Sequence, residues 1–306
     1  MTDVNLDTSR FSGHQSFSLR NTWLTKGVLT CAENPSIFRE PDALVTLGVG
    51  KNMVDAIKYW CQATRVLEDH ADQSEHRYDL QPTRIGSKLF VEDGGWDPYL
   101  EDKGTIWLLH WLLATNAGFA TTIYLAFNEF TGLEFSRNQM EEWIAKRAAA
   151  MDANVATGTL NRDVGVLIRS YLGGPDRADS SVEDVMDCPL AELELLYEEP
   201  TRQLYAFARG PKDSLPDEVI VYALWEYARR GEERTTFTFD ELAYKPYSLG
   251  RIFKLDEVAL AERLENVMRV TDGAWQPTET AGFRQMMMIR DIDPIAILNN
   301  HYSRSL

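Results

Sequence analysis

The chain has 306 residues, of which 44% are hydrophobic and 25% charged, and its formal net charge is −16. This composition is typical of a globular protein and excludes a disordered chain. The longest strongly apolar stretch, Ile106 to Ala114, is interrupted by His110 and is too short to span a bilayer. The three cysteines form no CxxC pair, which excludes a disulfide framework and a cysteine-based zinc finger. The first ten residues contain no apolar signal core, so we expect a cytoplasmic protein with reduced cysteines.

The charge is distributed unevenly along the chain. Residues 10–65 contain seven basic and four acidic groups, so this window carries +3 and the remainder carries −19. Residues 180–200 contain seven acids and no base. Such an asymmetry allows one end of the molecule to hold a DNA duplex while the acidic remainder repels it. The alternative is that the acidic faces only keep the protein soluble.

The first part of the chain, predicted as a domain over residues 1–91, has the pattern of a winged helix-turn-helix. The predicted elements are a helix at Asp42–Leu47, a turn at Gly48–Gly50, a helix from Lys51 to about Glu68, and short strands near Tyr78–Leu80 and Lys88–Val91. Helix, tight turn, helix and β-ribbon is the order of this duplex DNA-binding module. Many other helical pairs are also joined by glycine turns.

Two more domains complete a mainly α, multi-domain fold: a central helical bundle over residues 92–175 and a winged-helix-like module over residues 176–306. The central elements are predicted at Thr105–Phe119, Ala120–Phe130 (helix or strand), a helix capped by Ser136 and Gln139 that runs to about Ala153, and Asn161–Tyr171. Residues 176–184 are predicted to form an exposed loop. The C-terminal elements are helices at Asp217–Arg230, Asp240–Ala243 and Asp256–Asn266, a strand at Thr235–Phe239, and a hairpin from Val267–Thr271 and Gly273–Gln276.

The first candidate site is the segment FSGHQSF, residues 11–17, which is followed by Arg20, Trp23 and Lys26. Its polar and cationic side chains, placed between aromatic residues, are of the types that bind phosphate oxygens or base edges. His14 is the candidate catalytic general base, or else the group that holds the scissile phosphate. The alternative is an N-terminal segment that only docks its phenylalanines on the body of the protein.

The second candidate site is the turn Gly48–Gly50 with the start of the helix that follows it. The N-terminal end of the second helix of a helix-turn-helix enters the major groove, where Lys51 can meet guanine or phosphate and Asn52 can pair with adenine. The sequence GVGKN lacks the Ser or Thr that follows Lys in a nucleotide-binding loop, so it does not indicate an ATPase. An ordinary turn with solvated lysines is the alternative. The predicted DNA-binding residues are Gln15, Arg20, Lys26, Lys51, Asn52, Lys58 and Arg84.

The third candidate site is a carboxylate-rich loop with five acids between residues 92 and 102. Loop carboxylates are the ligands that Mg²⁺ prefers, and phosphodiester cleavage commonly uses such a metal to activate water. We predict Asp97, Glu101 and Asp102 as metal ligands, with Asp97 and Glu101 also catalytic, since a helical turn would place these two on one side. Acids before a helix also favour its N-terminus, so Asp102 could simply cap the helix at Thr105.

Three weaker features have structural explanations. His110 lies among Leu and Trp residues and is interpreted as a core histidine. Asn161-Arg162-Asp163 could position a charged group, or could cap a helix start. Met286–Met288 is interpreted as part of the core.

Four motifs in the first 120 residues, taken in order, resemble a known bacterial family. They are FSGHQSFSLRNTWLTKG, GVGKNMVDAIKYW, PTRIGSKLF and WDPYLEDKGTIWLLHW, with weaker similarity at Asn161–Asp163, FTFDELAYKPYSLGRIFKLDE and DIDPIAIL. The family is long known as a domain of unknown function and lies beside genes for DNA phosphorothioation. It includes the DNA-nicking component of the Ssp modification and phage-defence system.

The resemblance implies a Mg²⁺-dependent nickase that opens one strand of double-stranded DNA. It also implies three partners that introduce sulfur: the cysteine desulfurase SspA, the ATPase SspC and the sulfur-transfer protein SspD. No residue-level assignment comes with the resemblance. The rival hypothesis is a non-enzymatic DNA-binding adaptor that recruits the sulfur-transfer proteins through its acidic C-terminal half, and it is favoured by the lack of a known nuclease motif.

Overall fold

The computed structural model describes residues 9–72, 77–172, 188–231, 234–280 and 282–305. The predicted mainly α fold is confirmed, and the strands form small antiparallel sheets. Within these ranges, no helix is long and apolar enough to cross a membrane. The chain forms two compact units. The first contains residues 9–125 and 132–206, and the second contains residues 126–131 and those from 207 onwards.

The three predicted domains do not coincide with these units. The predicted boundary between residues 91 and 92 falls inside the first unit. The predicted boundary at 175–176, and the exposed loop predicted at 176–184, lie outside the described residues. The division into three domains therefore stays a prediction.

The first unit begins with the predicted pair of helices and a hairpin. Its elements are α1 (Asn21–Glu33), α2 (Ala43–Leu47), α3 (Lys51–Ala63), β1 (Leu67–Asp72), β2 (Arg77–Pro82) and α4 (Arg84–Phe90). Gly48 ends α2 in the left-handed conformation, with φ of 66°, which glycine adopts without steric cost. Val54, Ile57 and Trp60 all face the core from α3, because their spacing matches the helical period.

Two predictions for this region are wrong. The helix predicted from Lys51 to Glu68 ends at Ala63, because Arg65 takes a left-handed φ of 55° and the chain then enters β1. The predicted strand at Lys88–Val91 is instead the end of α4 and its C-cap, and Thr83 caps this helix at its start by accepting a hydrogen bond from Gly86 N. The strand that pairs with β2 is β1, in the register Leu67↔Pro82 to Asp72↔Arg77.

The rest of the first unit is built around a buried helix. The further elements are α5 (Lys103–Ala114), α6 (Thr121–Tyr124), β3 (Glu134–Phe135), α7 (Arg137–Ala150), α8 (Thr157–Tyr171), a 3-10 helix (Pro189–Leu193), β4 (Leu196–Glu199) and β5 (Leu204–Phe207). A π-helix (Leu125–Glu129) follows α6, and all of it except Leu125 belongs to the second unit. His110 on α5 is fully buried and its Nδ1 lies 2.7 Å from the Tyr171 hydroxyl, which confirms it as a core histidine. The predicted capping box of Ser136 and Gln139 is confirmed at the start of α7.

The second unit combines helices with a three-stranded sheet of order β6–β8–β7. Its elements are α9 (Asp217–Ala228), β6 (Thr236–Thr238), α10 (Phe239–Tyr244), α11 (Leu249–Ile252), α12 (Glu257–Val270), β7 (Trp275–Thr280), β8 (Phe283–Met288) and α13 (Pro294–Ser305). The hairpin predicted at residues 267–276 is wrong, because α12 continues to Val270 and the hairpin is formed by β7 and β8. Met286 is buried in β8, as its predicted core position requires.

Candidate nucleic-acid interface

The N-terminal segment of residues 10–17 is fixed by a buried histidine–aspartate pair. His14 and Asp163 are only 4% and 5% exposed, and His14 Nε2 lies 3.0 Å from Asp163 Oδ1. Asp163 belongs to the second turn of α8, so the two residues lie 149 positions apart in the chain. The pair therefore joins the N-terminal segment to α8, and the explanation of Asp163 as a helix-start cap is wrong because α8 begins at Thr157.

The Asp163 carboxylate accepts hydrogen bonds from several donors. Oδ1 and Oδ2 each accept from Ser12 N at 3.1 Å, and Oδ2 also accepts from Thr122 Oγ1 at 3.0 Å. With His14, three donors thus surround this buried charge. Burying a carboxylate is costly unless it is paired and hydrogen-bonded, so these contacts are what allows Asp163 to be buried.

Both ring nitrogens of His14 are engaged. Nδ1 accepts a hydrogen bond from Ser16 N at 3.1 Å, which leaves Nε2 as the protonated nitrogen that donates to Asp163. In this arrangement His14 holds the segment in place, and acting as a general base would require it to give up one of these two bonds. Its role as a general base stays a prediction.

Tyr59 of α3 packs edge-on against the His14 ring, with 5.5 Å between ring centroids. Burial, reinforced by the negative charge of Asp163, raises the pKa of the Tyr59 hydroxyl. The Tyr59 hydroxyl therefore stays neutral at physiological pH, and its ring packs beside the His14–Asp163 pair. The crevice between His14, Tyr59 and Asp163 has a volume of about 10 Å³, which is room for roughly one water molecule.

The segment follows a strained path around this pair. Ser12, Gln15 and Ser16 have φ values of 67°, 50° and 67°, in the left-handed region that non-glycine residues rarely adopt. Gly13 has a φ of 112°, and a Cβ atom there would lie 2.6 Å from the Tyr59 ring. The glycine of the FSGHQSF motif is thus explained by both its backbone angle and the close approach of Tyr59.

The predicted DNA-binding residues lie on neighbouring elements of the first unit. Lys51 and Asn52 are exposed in the first turn of α3, and Lys58, half-buried, is seven residues after Lys51 on the same side. Helix α1, which carries the exposed Lys26, packs against both α3 and α4. The remaining predicted residues are Arg20, whose guanidinium lies 5.5 Å from the Trp23 ring centroid, and Gln15 and Arg84, which are exposed.

The carboxylate-rich loop has the geometry of a helix start. Asp97 is 6% exposed, and its Oδ1 and Oδ2 accept hydrogen bonds from the backbone N–H groups of Glu101 and Asp102 at 2.9 and 3.0 Å. Asp102 caps α5 by accepting from Gly104 N at 2.6 Å, which confirms it as a helix cap, and the helix begins at Lys103 rather than at Thr105. The predicted helical turn at residues 97–101 is wrong, because Leu100 takes a left-handed φ of 56°.

Among the described residues, no three His, Cys, Asp or Glu side chains lie close enough together to hold a metal ion. Asp97 in particular directs both of its oxygens at backbone donors. Asp97, Glu101 and Asp102 therefore do not fit a metal site in this arrangement, and their role as ligands stays a prediction.

The sequence singles out His14 and, more weakly, Asp163, but it does not connect the two, and it gives no sign of the role of Thr122. Asp163 and Thr122 are separated from the N-terminal segment by more than a hundred residues. The available signal was the sequence Asn161-Arg162-Asp163 inside an amphipathic helix. Asp163 lies on the buried side of that helix, where an unpaired carboxylate would be too costly.

Comparison with known proteins places this fold in a family. Residues 11–302 match the family described as a protein of unknown function, DUF4007, and the chain belongs to that family. It is similar to SspB in a magnesium-bound crystal structure, with 29% identity and a TM-score of 0.87 over 98% of this chain and 91% of that one. A second SspB crystal structure gives 28% identity and a TM-score of 0.85, over 97% and 90% of the two chains. No curated protein matches the chain. The resemblance drawn from the four motifs is confirmed.

Proposed function

We propose that this protein is the DNA-nicking component of an Ssp phosphorothioation and phage-defence system, and that it hydrolyses one phosphodiester bond of duplex DNA with Mg²⁺. The observation that carries the proposal is the similarity to magnesium-bound SspB over 98% of the chain. The exposed cations and the fixed N-terminal segment of the first unit support it, because they offer a phosphate-binding surface on an otherwise acidic protein.

The duplex is proposed to lie against a winged helix-turn-helix in the first unit. Helices α1, α2 and α3 followed by the β1–β2 hairpin have the element order of that module. The second helix of the pair would be α3, and its first turn presents the side chains of Lys51 and Asn52 to solvent. The N-terminus of α3 adds the positive end of the helix dipole, which favours phosphate.

The second unit is proposed as another winged-helix-like module, with a different partner. Helix α9, strand β6, helices α10 and α12 and the β7–β8 hairpin follow the order of that fold. The helix that would read DNA is α12, and it exposes Glu257, Glu262 and Glu265. Because these carboxylates repel phosphate, the proposal gives this module a protein partner.

Phosphodiester hydrolysis needs an activated water and stabilisation of the leaving oxygen, which Mg²⁺ supplies when it is bound. Since Asp97, Glu101 and Asp102 do not converge on one point, we assign no step to a metal at this loop. The part of the reaction that we assign to this chain is the placement of the duplex against α3 and the segment held by His14.

The adaptor hypothesis is the second candidate, and one surface of the first unit favours it. Glu192, Glu194 and Glu199 are exposed close to Tyr197, which is 53% exposed on β4. An aromatic side chain among acids is suited to a basic protein surface. On either hypothesis the proposed partners are SspC, SspD and SspA. Replacing these three glutamates by glutamine should impair co-purification with the partners and leave DNA affinity unchanged.

Incubation of the purified protein with supercoiled plasmid separates the two candidates. The nickase hypothesis predicts conversion to the open-circular form with Mg²⁺ and none with EDTA. The adaptor hypothesis predicts a mobility shift of the plasmid without any open-circular product. Finding neither binding nor nicking would contradict both.

A further inference from the structure

The side chain of Arg10 lies against two aromatic rings beside the His14 segment. Its guanidinium carbon lies 4.7 Å from the centroid of the Phe119 ring and 5.6 Å from that of the Tyr59 ring. The backbone of the same residue is fixed as well, because Arg10 N donates to Thr121 Oγ1 at 2.9 Å. A long flexible side chain is thus ordered before any ligand binds, so little conformational entropy remains to be lost on binding.

The polar end of Arg10 nevertheless has no acceptor among the residues that the structure describes. Across the described ranges, the exposed guanidinium donates no hydrogen bond and forms no ion pair. Elsewhere in the first unit an exposed arginine does find such a partner, since Arg39 pairs with Asp79 at 2.8 Å. The guanidinium is planar and carries five N–H donors. Because it lies against aromatic rings and lacks an acceptor in the described part of the chain, it is suited to bidentate binding of a phosphate.

The surroundings of Arg10 tie it to the proposed DNA surface. Tyr59, on which it stacks, lies seven residues after Asn52 and therefore on the same side of α3, about 10 Å further along the helix. Gly13 makes room for the stack, because a Cβ there would lie 3.2 Å from Arg10 Nε as well as against Tyr59. Gln15, on the same segment, is exposed as well.

We propose that Arg10 is a preordered residue that binds one backbone phosphate of the duplex bound along α3. The inference rests on the proposed function and adds a contact that anchors the N-terminal segment to the DNA. The shared chemistry is a phosphate group, and the source we assign is the nucleic-acid backbone rather than a free anion.

The test compares duplex DNA binding by the wild type, Arg10→Met, Arg10→Lys and the control Arg39→Met over a range of salt concentrations. Methionine keeps contact with both rings and removes the charge, so Arg10→Met should lower affinity about tenfold and reduce the log–log salt slope by about 1. Arg10→Lys should keep the salt slope and lose part of the affinity, because lysine cannot form a bidentate contact with a phosphate. Arg39→Met should bind as the wild type does.

An unchanged slope and affinity in Arg10→Met, with wild-type DNA binding intact, would overturn this inference and leave the proposed function standing. Failure of the wild type to bind DNA would instead contradict the proposed function. A second arm measures the thermal midpoint with added inorganic phosphate. A phosphate-dependent rise that Arg10→Met abolishes, without any change in DNA binding, would show a free-anion site and overturn the assignment to DNA.

Discussion

Removing the Asp163 carboxylate should destabilise the first unit through the donors that it leaves unpaired. Asp163→Ala takes the acceptor away from Ser12 N, His14 Nε2 and Thr122 Oγ1, all within 3.1 Å. A buried donor left unsatisfied costs about 1–3 kcal/mol, so three of them cost at least about 3 kcal/mol. For a unit of this size, that loss lowers the thermal midpoint by about 6–12 °C. Asp163→Asn keeps the volume and one acceptor oxygen, and should lose about 1–2 kcal/mol.

The measurement is thermal and urea unfolding of both variants, followed by circular dichroism. Asp55→Ala is the matched control, because Asp55 is exposed on α3 and its side chain has no hydrogen bond or ion pair within the described part of the chain. The free energy of unfolding of Asp55→Ala should stay within about 0.5 kcal/mol of that of the wild type. If Asp163→Ala is as stable as Asp55→Ala, the buried pair does not hold the N-terminal segment in place.

Three more predictions concern the DNA surface, the carboxylate loop and the cysteines. The double variant Lys51→Ala, Lys58→Ala should reduce the salt slope of duplex binding by about 2 if each lysine meets one phosphate, and an unchanged slope would remove α3 from the interface. Asp97→Ala should lower the free energy of unfolding by about 2 kcal/mol, because two backbone donors lose their acceptor. Plasmid nicking by the folded fraction should persist, and a loss of nicking at an unchanged thermal midpoint would show a metal role instead. Burial raises the pKa of Cys31 to about 11 and that of Cys188 to about 12. These thiols in the native protein should therefore not react with a disulfide reagent at pH 8. Immediate labelling would contradict their burial.

The elements that sequence reasoning placed correctly are those with a strong local signal. The turn between α2 and α3 needs a left-handed residue, and Gly48 provides it. The capping box of Ser136 and Gln139 satisfies its own helix end, so the start of α7 is also determined locally. Helix α3 was recognised because its apolar residues recur with the helical period.

The hairpin β1–β2 was misplaced because its stability does not come from local pattern. Residues 67–72, LEDHAD, lack the alternation of apolar and polar residues that identifies a half-buried strand. Their strand conformation depends on pairing with β2, which is a tertiary contact. The segment around Lys88, in contrast, is helical because Thr83 caps it.

The candidate site shows the same division between local and distant determinants. The composition of FSGHQSF identified His14, but its partner Asp163 is 149 residues away and no short motif joins them. In the sequence, Arg10 is only one of seven basic residues in the window 10–65. Its contacts with the Tyr59 and Phe119 rings depend on the folded packing of α3 with the segment after α5. Local chemistry thus indicated where the site lies, while its geometry required the structure.

Strand-resolved cleavage of a duplex separates a nickase from a protein that only binds DNA. A linear duplex, labelled at the end of one strand in one sample and of the other strand in a second, is incubated with the protein and Mg²⁺ and separated under denaturing conditions. The nickase proposal predicts a shortened product from only one of the two strands at each cleavage position, and no product in EDTA. A duplex that is bound but stays intact on both strands under these conditions would contradict the nickase and favour the adaptor.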